Sequence, residues 1–273
     1  MNKLGVLFKL RADADIFEEM KKVRDIGCDC CQLTVWEMEL YNDETAARVA
    51  AAAKEYNVEI STLWAGWSGP KAWNFTEGPM LLGIVPPAYR MQRIADIIKG
   101  VEFAAKLGVS RVATHVGFLP ENMNDPQYFD IIAALRQIVK ECQKYNINFL
   151  FETGQETPTT LLRFIEAIGM DNVGINMDTA NLLLYGKANS ADAITMFGKY
   201  VMDTHIKDGF YPTDGLKLGR EVKVGEGLAN IPEVIRRLKE LNYEGNYIIE
   251  REIKGEQQQK DIIDTLAYLR TIV

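Results

Sequence analysis

Short apolar runs and longer amphipathic stretches follow one another along this chain in a regular order. The short runs lie near 3–8, 29–35, 58–64, 110–116, 147–152, 173–178, 200–206 and 246–251. Between them, apolar residues recur at helical spacing near 13–26, 43–56, 86–107, 127–145, 158–169, 190–198, 230–241 and 257–272. The first pattern predicts strands and the second helices. The passage from helix to strand is marked in six places: Ile26-Gly27-Cys28, Tyr56-Asn57-Val58, Leu107-Gly108-Val109, Tyr145-Asn146-Ile147, Ile168-Gly169-Met170 and Leu241-Asn242-Tyr243. Gly and Asn tolerate the left-handed conformation that ends a helix, and six in equivalent positions make a structural period. Strands that alternate with helices favour a parallel sheet. Eight such units predict an α/β fold, a single (β/α)8 TIM barrel occupying 1–273 as one domain. An open doubly wound sheet is the competitor, but no Gly-x-Gly-x-x-Gly follows the first strand.

Two connections, 65–85 and 207–229, are longer than a barrel needs. Both follow strands, so both belong to the C-terminal face, where barrels of this kind keep their chemistry. The length of 273 residues is close to that of one such barrel. The net charge of −7 gives no basic field to hold nucleic acid. The start, Met1 to Phe8, is too short and too soon charged for a signal peptide, and no apolar run has the length of a membrane span. A cytoplasmic protein with no membrane partner is expected. Cys28, Cys30, Cys31 and Cys142 show no zinc-ligand spacing and read as buried thiols filling space.

Four apolar runs in the second half end in a residue that can bind a divalent metal: Glu152, Asp178, His205 and Glu250. They are 26, 27 and 45 residues apart, about one strand–helix unit each with the last one stretched. A single such carboxylate can simply mark where a strand meets solvent. Four at matched strand ends point to one shared site at the barrel mouth. Three carboxylates and one imidazole form a hard, oxygen-rich set, which suits one divalent ion, Mn²⁺ first, with Mg²⁺, Co²⁺ and Zn²⁺ as alternatives.

The order Glu, Asp, His, Glu over the last four strands resembles the xylose isomerase-like TIM-barrel superfamily. Within it the chain is similar to the sugar phosphate isomerase/epimerase branch and to tagatose 3-epimerase-type enzymes. The matching text is Phe151-Glu152-Thr153-Gly154, Asn176-Met177-Asp178-Thr179-Ala180-Asn181, Thr204-His205-Ile206-Lys207-Asp208 and Ile249-Glu250-Arg251-Glu252, with Gly219-Arg220-Glu221 leading to Gly225-Glu226-Gly227. The resemblance implies a small-molecule partner, a sugar or sugar phosphate. It also implies that Glu152 and Glu250 stand on opposite sides of that substrate, one removing and one returning a proton through an enediolate. Arg220 is by the same match a candidate for substrate hydroxyls or a phosphate. Asn181 departs from tagatose 3-epimerase-type enzymes, which place a histidine there.

Further candidates come from position. His115 ends the fourth strand and is a substrate candidate or a core imidazole. Lys207 faces the same way as His205 and also neighbours Asp208 as a possible ion pair. Glu156 lies just beyond Glu152. Trp36 and Trp64 end the second and third strands, where aromatics shape carbohydrate pockets or pack a loop. Gly225-Glu226-Gly227 offers backbone N–H groups to a phosphate. The loop aromatics would permit a homo-oligomer. The rival chemistry is a lyase of the inosose dehydratase kind, which shares the first proton abstraction. A non-catalytic sugar-binding barrel is the other alternative.

Overall fold

All six predicted helix ends carry the left-handed residue that their sequence calls for. Gly27, Asn57, Gly108, Asn146, Gly169 and Asn242 have φ between 51° and 91°, and each turns the chain from a helix into the next strand. The computed structural model describes residues 2–273.

The strands are β1 (Leu4–Leu10), β2 (Cys30–Val35), β3 (Glu59–Ala65), β4 (Arg111–Thr114), β5 (Asn148–Glu152), β6 (Val173–Asp178), β7 (Val201–Ile206), β8 (Asp208–Phe210), β9 (Arg220–Val222) and β10 (Tyr247–Ile249). The helices are α1 (Ile16–Asp25), α2 (Asp43–Glu55), α3 (Gly78–Leu81), α4 (Pro87–Leu107), α5 (Tyr128–Lys144), α6 (Pro158–Ile168), α7 (Asn181–Leu184), α8 (Ser190–Phe197), α9 (Ile231–Glu240) and α10 (Glu256–Leu269). Eight parallel strands close into a barrel in the order β1-β10-β7-β6-β5-β4-β3-β2. The helices pack outside it, so the fold is the (β/α)8 barrel that the period predicts. Among the described residues no helix is long and apolar enough to cross a membrane.

Alternation sorts each strand into two faces. On β2, Cys31, Leu33 and Val35 join the main core between sheet and helices. Gln32 points instead across the barrel, where it bonds to Asn176 and His205. Trp64, Ala113 and Leu150 form a smaller apolar cluster within the barrel. Below them Asp203 is fully buried and accepts from Ser61 Oγ at 2.8 Å, Thr62 Oγ1 at 2.7 Å and the backbone N–H of Thr204 and Asn246. Two neighbouring residues of β3 reach the same carboxylate because pairing with β2 slips at Ser61, the extra residue of a bulge.

The two long connections are structured where the sequence reads only loops. The first contains α3 and is fastened to α4 by Arg93, which is fully buried. Its guanidinium donates to the carbonyls of Ser68, Pro70, Leu81 and Gly83 and stacks 4.0 Å from the Trp67 ring. The second contains the antiparallel pair β8–β9. Both sit over the C-terminal mouth. The four cysteines are buried free thiols, as expected.

Candidate metal centre

Strand ends deliver the four predicted ligands to one point. Glu152 closes β5, Asp178 closes β6, His205 lies near the end of β7 and Glu250 directly follows β10. One potential ligand atom from each lies within 4.8 Å of all the others. Met202 is an extra residue in β7, and the bulge it makes sets Asp203 opposite Asn176 and His205 opposite Asp178. Without that slip His205 would face the helices.

The cluster is nearly closed to solvent, with Glu152 2%, Asp178 0% and His205 1% exposed. Asp178 is locked by one oxygen: Oδ1 accepts from the N–H of Ala180 and Asn181, both at 2.7 Å, while Oδ2 has no hydrogen-bond partner. His205 is fixed from its far side. Asn176 Nδ2 donates to Glu152 Oε2, Gln32 Nε2 donates to Asn176 Oδ1 at 2.7 Å, and His205 Nε2 donates to Gln32 Oε1 at 2.7 Å. The polarity of this relay is assigned from Glu152, whose ionised carboxylate can only accept. It leaves Nδ1 as the inward nitrogen. That atom lies 2.9 Å from Glu152 Oε1 and 3.1 Å from Glu250 Oε2, without hydrogen-bond geometry to either. An orphaned imidazole nitrogen, an orphaned carboxylate oxygen and two further carboxylates fit a hard divalent cation. The relay beyond Nε2 is the kind of partner that orients a metal-binding histidine.

The electrostatics of these side chains agree. Burial opposes charge on His205, but Glu152 and Glu250 outweigh it and raise its pKa well above the usual range. Burial raises Asp178 strongly, with Glu250 and Glu152 adding to it. Burial works against ionised Glu250 as well, yet Lys207 and His205 hold its pKa below the ordinary value. Three carboxylates this close are thus balanced by protons and by Lys207, a balance that a bound cation would take over.

The structure gathers most of the other candidates around these four. Lys207 is buried, with Nζ 3.4 Å from Glu250 Oε2, 3.1 Å from Glu252 Oε1 and 3.2 Å from Asn181 Oδ1. Its partners are therefore site carboxylates and not the neighbouring Asp208. His115 Nε2 is 4.0 Å from Glu152 Oε1, and burial lowers its pKa to about 4, so the imidazole is neutral. Trp64 Nε1 donates to Glu152 Oε2 at 3.2 Å, and Trp36 stacks on Trp64 at 5.0 Å. Glu156 is buried behind Gly154, whose N–H it accepts at 3.3 Å.

Two features fall outside the cluster. Arg220 is exposed on β9 with its guanidinium 5.1 Å from the Phe210 ring. The N–H groups of Gly225, Gly227 and Ala229 all donate to the Asp208 carboxylate, so the chain's own anion fills the cradle that the glycines offer. Sequence reasoning passed over Gln32 and Asn176, which the relay needs. Their only signal is polarity at inward positions of apolar strands, Asn176 two residues before Asp178.

The family model described as the xylose isomerase-like TIM barrel matches residues 20–272. The chain belongs to that family. Among solved structures, a xylose isomerase domain protein from Planctomyces limnophilus superposes with a TM-score of 0.92 at 26% identity, covering 99% of this chain and 97% of that one. A D-tagatose 3-epimerase-like protein shares the fold with a TM-score of 0.74 at 22% identity, covering 99% and 98%. An uncharacterized protein of Methanocaldococcus jannaschii is 28% identical over 182 residues, which span 62% of this chain and 59% of that relative's length. The fold neighbours include sugar epimerases, as the four-strand pattern led one to expect.

Proposed function

We propose that this protein is a divalent-metal-dependent isomerase or epimerase of a ketose or sugar phosphate. The observation that carries the reading is the convergence of Glu152, Asp178, His205 and Glu250 within 4.8 Å at the mouth of this family's barrel. Those four side chains would hold the ion, Mn²⁺ first, with Mg²⁺, Co²⁺ and Zn²⁺ as alternatives, and it would supply Lewis acidity that polarises a carbonyl and acidifies the adjacent C–H.

The chain's own groups account for the proton movements. Trp64 Nε1 and Asn176 Nδ2 both hold Glu152 Oε2, which leaves Oε1 turned toward the centre. Glu250 stands across His205 Nδ1 from it, kept ionised by Lys207. One carboxylate removes the proton beside the carbonyl, giving an enediolate. The other, which must enter the substrate complex carrying a proton, returns it to the opposite face for epimerisation, or to the neighbouring carbon for isomerisation. Lys207 and neutral His115 flank the pair as donors to substrate oxygens. Burial of the ligand set keeps bulk water from the enediolate.

The test is proton-exchange NMR in D₂O, with the metal-loaded protein facing free and phosphorylated ketoses and keto-cyclitols. Deuterium appearing beside the carbonyl, and abolished by EDTA, is the expected result. The product then separates epimerase, isomerase and dehydratase. Glu152→Gln and Glu250→Gln should each remove turnover while the protein stays folded. Near-normal turnover in both variants would refute the two-base scheme.

A further inference from the structure

Beyond the ligand set, one wall of the barrel mouth carries polar atoms that the chain itself leaves unused. Among the described residues, neither amide atom of Gln155 makes a hydrogen bond of good geometry, and neither do Glu156 Oε2 and the Tyr185 hydroxyl, which lies beside the Gln155 amide, although all three side chains are buried. They gather about Gly154, two residues past Glu152. A Cβ placed on Gly154 would stand 3.4 Å from His115 Cε1 and 3.7 Å from the Tyr185 ring, and His115 is itself 4.0 Å from Glu152. Unsatisfied buried polar groups are rare in folded proteins because each forfeits its hydration. Three in one wall, beside the reacting carboxylate, mark a surface matched to a molecule that brings both donors and acceptors. Hydroxyl groups do this: each can donate to Gln155 Oε1 or Glu156 and accept from Gln155 Nε2 or Tyr185.

The charges around the wall argue against a phosphate there. The cations that act on it are already engaged, Lys207 by Glu250 and Glu252, and Lys187 by Glu121 at 3.6 Å. The glycine N–H groups at 225 and 227 belong to Asp208, and Arg220 is exposed on β9 against Phe210. A phosphate would enter beside buried Glu156, where Lys187 and Lys207 already serve the chain's own carboxylates. Overhead the cover is aromatic, with Phe75 and Phe118 at 6.1 and 5.8 Å from Tyr185 and Trp73 at 5.0 Å from His115.

We propose that Gln155, Tyr185 and Glu156 form a subsite that recognises the hydroxyl groups at the far end of an unphosphorylated sugar. This deepens, and rests on, the reading of Glu152 and Glu250 as the reacting pair.

Saturation-transfer NMR on the intact protein tests it, with and without Mn²⁺-depleting EDTA treatment and with Mg²⁺ as the loaded ion to avoid paramagnetic broadening. The probes are D-fructose, D-tagatose and D-sorbose, each beside its 6-deoxy analogue and its 6-phosphate ester. At least one free ketose should bind about tenfold more tightly than its 6-deoxy analogue, the worth of one buried hydrogen bond, and more tightly than its phosphate ester. Gln155→Leu and Tyr185→Phe should each shrink the preference over the deoxy analogue while leaving metal titration unchanged. The proposal is overturned if the phosphate ester binds as well as the free sugar, if no free ketose binds, or if both variants weaken all three probes alike, as a merely structural role would. Should metal fail to bind while a ketose still binds with sensitivity to Gln155→Leu, the reading of the metal centre fails and the subsite stands.

Discussion

Glu156 offers a test in which the sign and the size both follow from its surroundings. Burial raises its pKa from the ordinary 4.5 to about 7, against the opposing pull of the backbone N–H groups of Glu156 and Gly154, and among the described residues Oε2 has no partner. Below pH 4.5 the group is protonated in both folded and unfolded chains and contributes no pH dependence. Between 4.5 and 7 the unfolded chain ionises while the folded one keeps its proton, so the unfolded state binds fewer protons and stability falls as pH rises. Above 7 the loss levels off at about 3 kcal/mol, the free-energy equivalent of the difference between the two values. Glu156→Gln keeps an oxygen to accept from Gly154 and removes the titration. In urea unfolding of the EDTA-treated protein, the variant should therefore gain about 3 kcal/mol on wild type between pH 4.5 and pH 8.5, whatever its offset at the acid end. The metal must be absent, because a nearby cation would lower the pKa and shrink the effect. A difference between variant and wild type that is flat across that range would show that Glu156 is solvated or paired in solution, and the argument from its burial would fail.

Other consequences are as direct. Arg93→Met should destabilise the protein by about 3 kcal/mol, less than its four hydrogen bonds would sum to because the guanidinium is itself costly to bury. It should also raise hydrogen exchange across 66–85, and an unaltered exchange pattern would remove Arg93 as the fastening of that loop. Gln32→Leu takes the acceptor from His205 Nε2 and should weaken metal binding by about tenfold or more, measured by titration calorimetry, whereas equal affinity would mean the relay does not orient the ligand. Because the surroundings raise the pKa of both His205 and Asp178, ion binding should release protons, read from calorimetry in buffers of different ionisation enthalpy; no release at any pH would contradict those shifts. Cys28 and Cys142, whose pKa burial raises to about 12, should stay unreactive toward a thiol reagent until the protein unfolds, and rapid labelling of the native protein would show an opening absent from this structure.

The barrel was legible because its signals are local and repeated. Six of the eight helix ends announce themselves by a residue that tolerates positive φ, and each strand by its apolar run, so the predicted boundaries lie within a few residues of the observed ones for all eight units. The convergence of the ligands was legible for a related reason: barrel closure converts equal strand-end positions in sequence into one place in space. What escaped depends on contacts between distant residues. Nothing near Gln32 in sequence shows that it will reach Asn176 and His205 across the barrel. Nothing near Gly225 shows that Asp208 will occupy its N–H groups, and Arg220 reads equally well as a phosphate ligand or as the exposed, ring-stacked residue it is. The bulge at Met202 is the sharpest case. One residue more in β7 than strict pairing needs decides whether His205 joins the carboxylates or turns to the helices, and strict alternation along the sequence carries no notice of it. The chemistry proposed for this protein therefore hangs on a slip in register that only the closed sheet reveals. Deleting Met202 should return His205 to the helix-facing side and abolish metal binding in a barrel that otherwise keeps its helices.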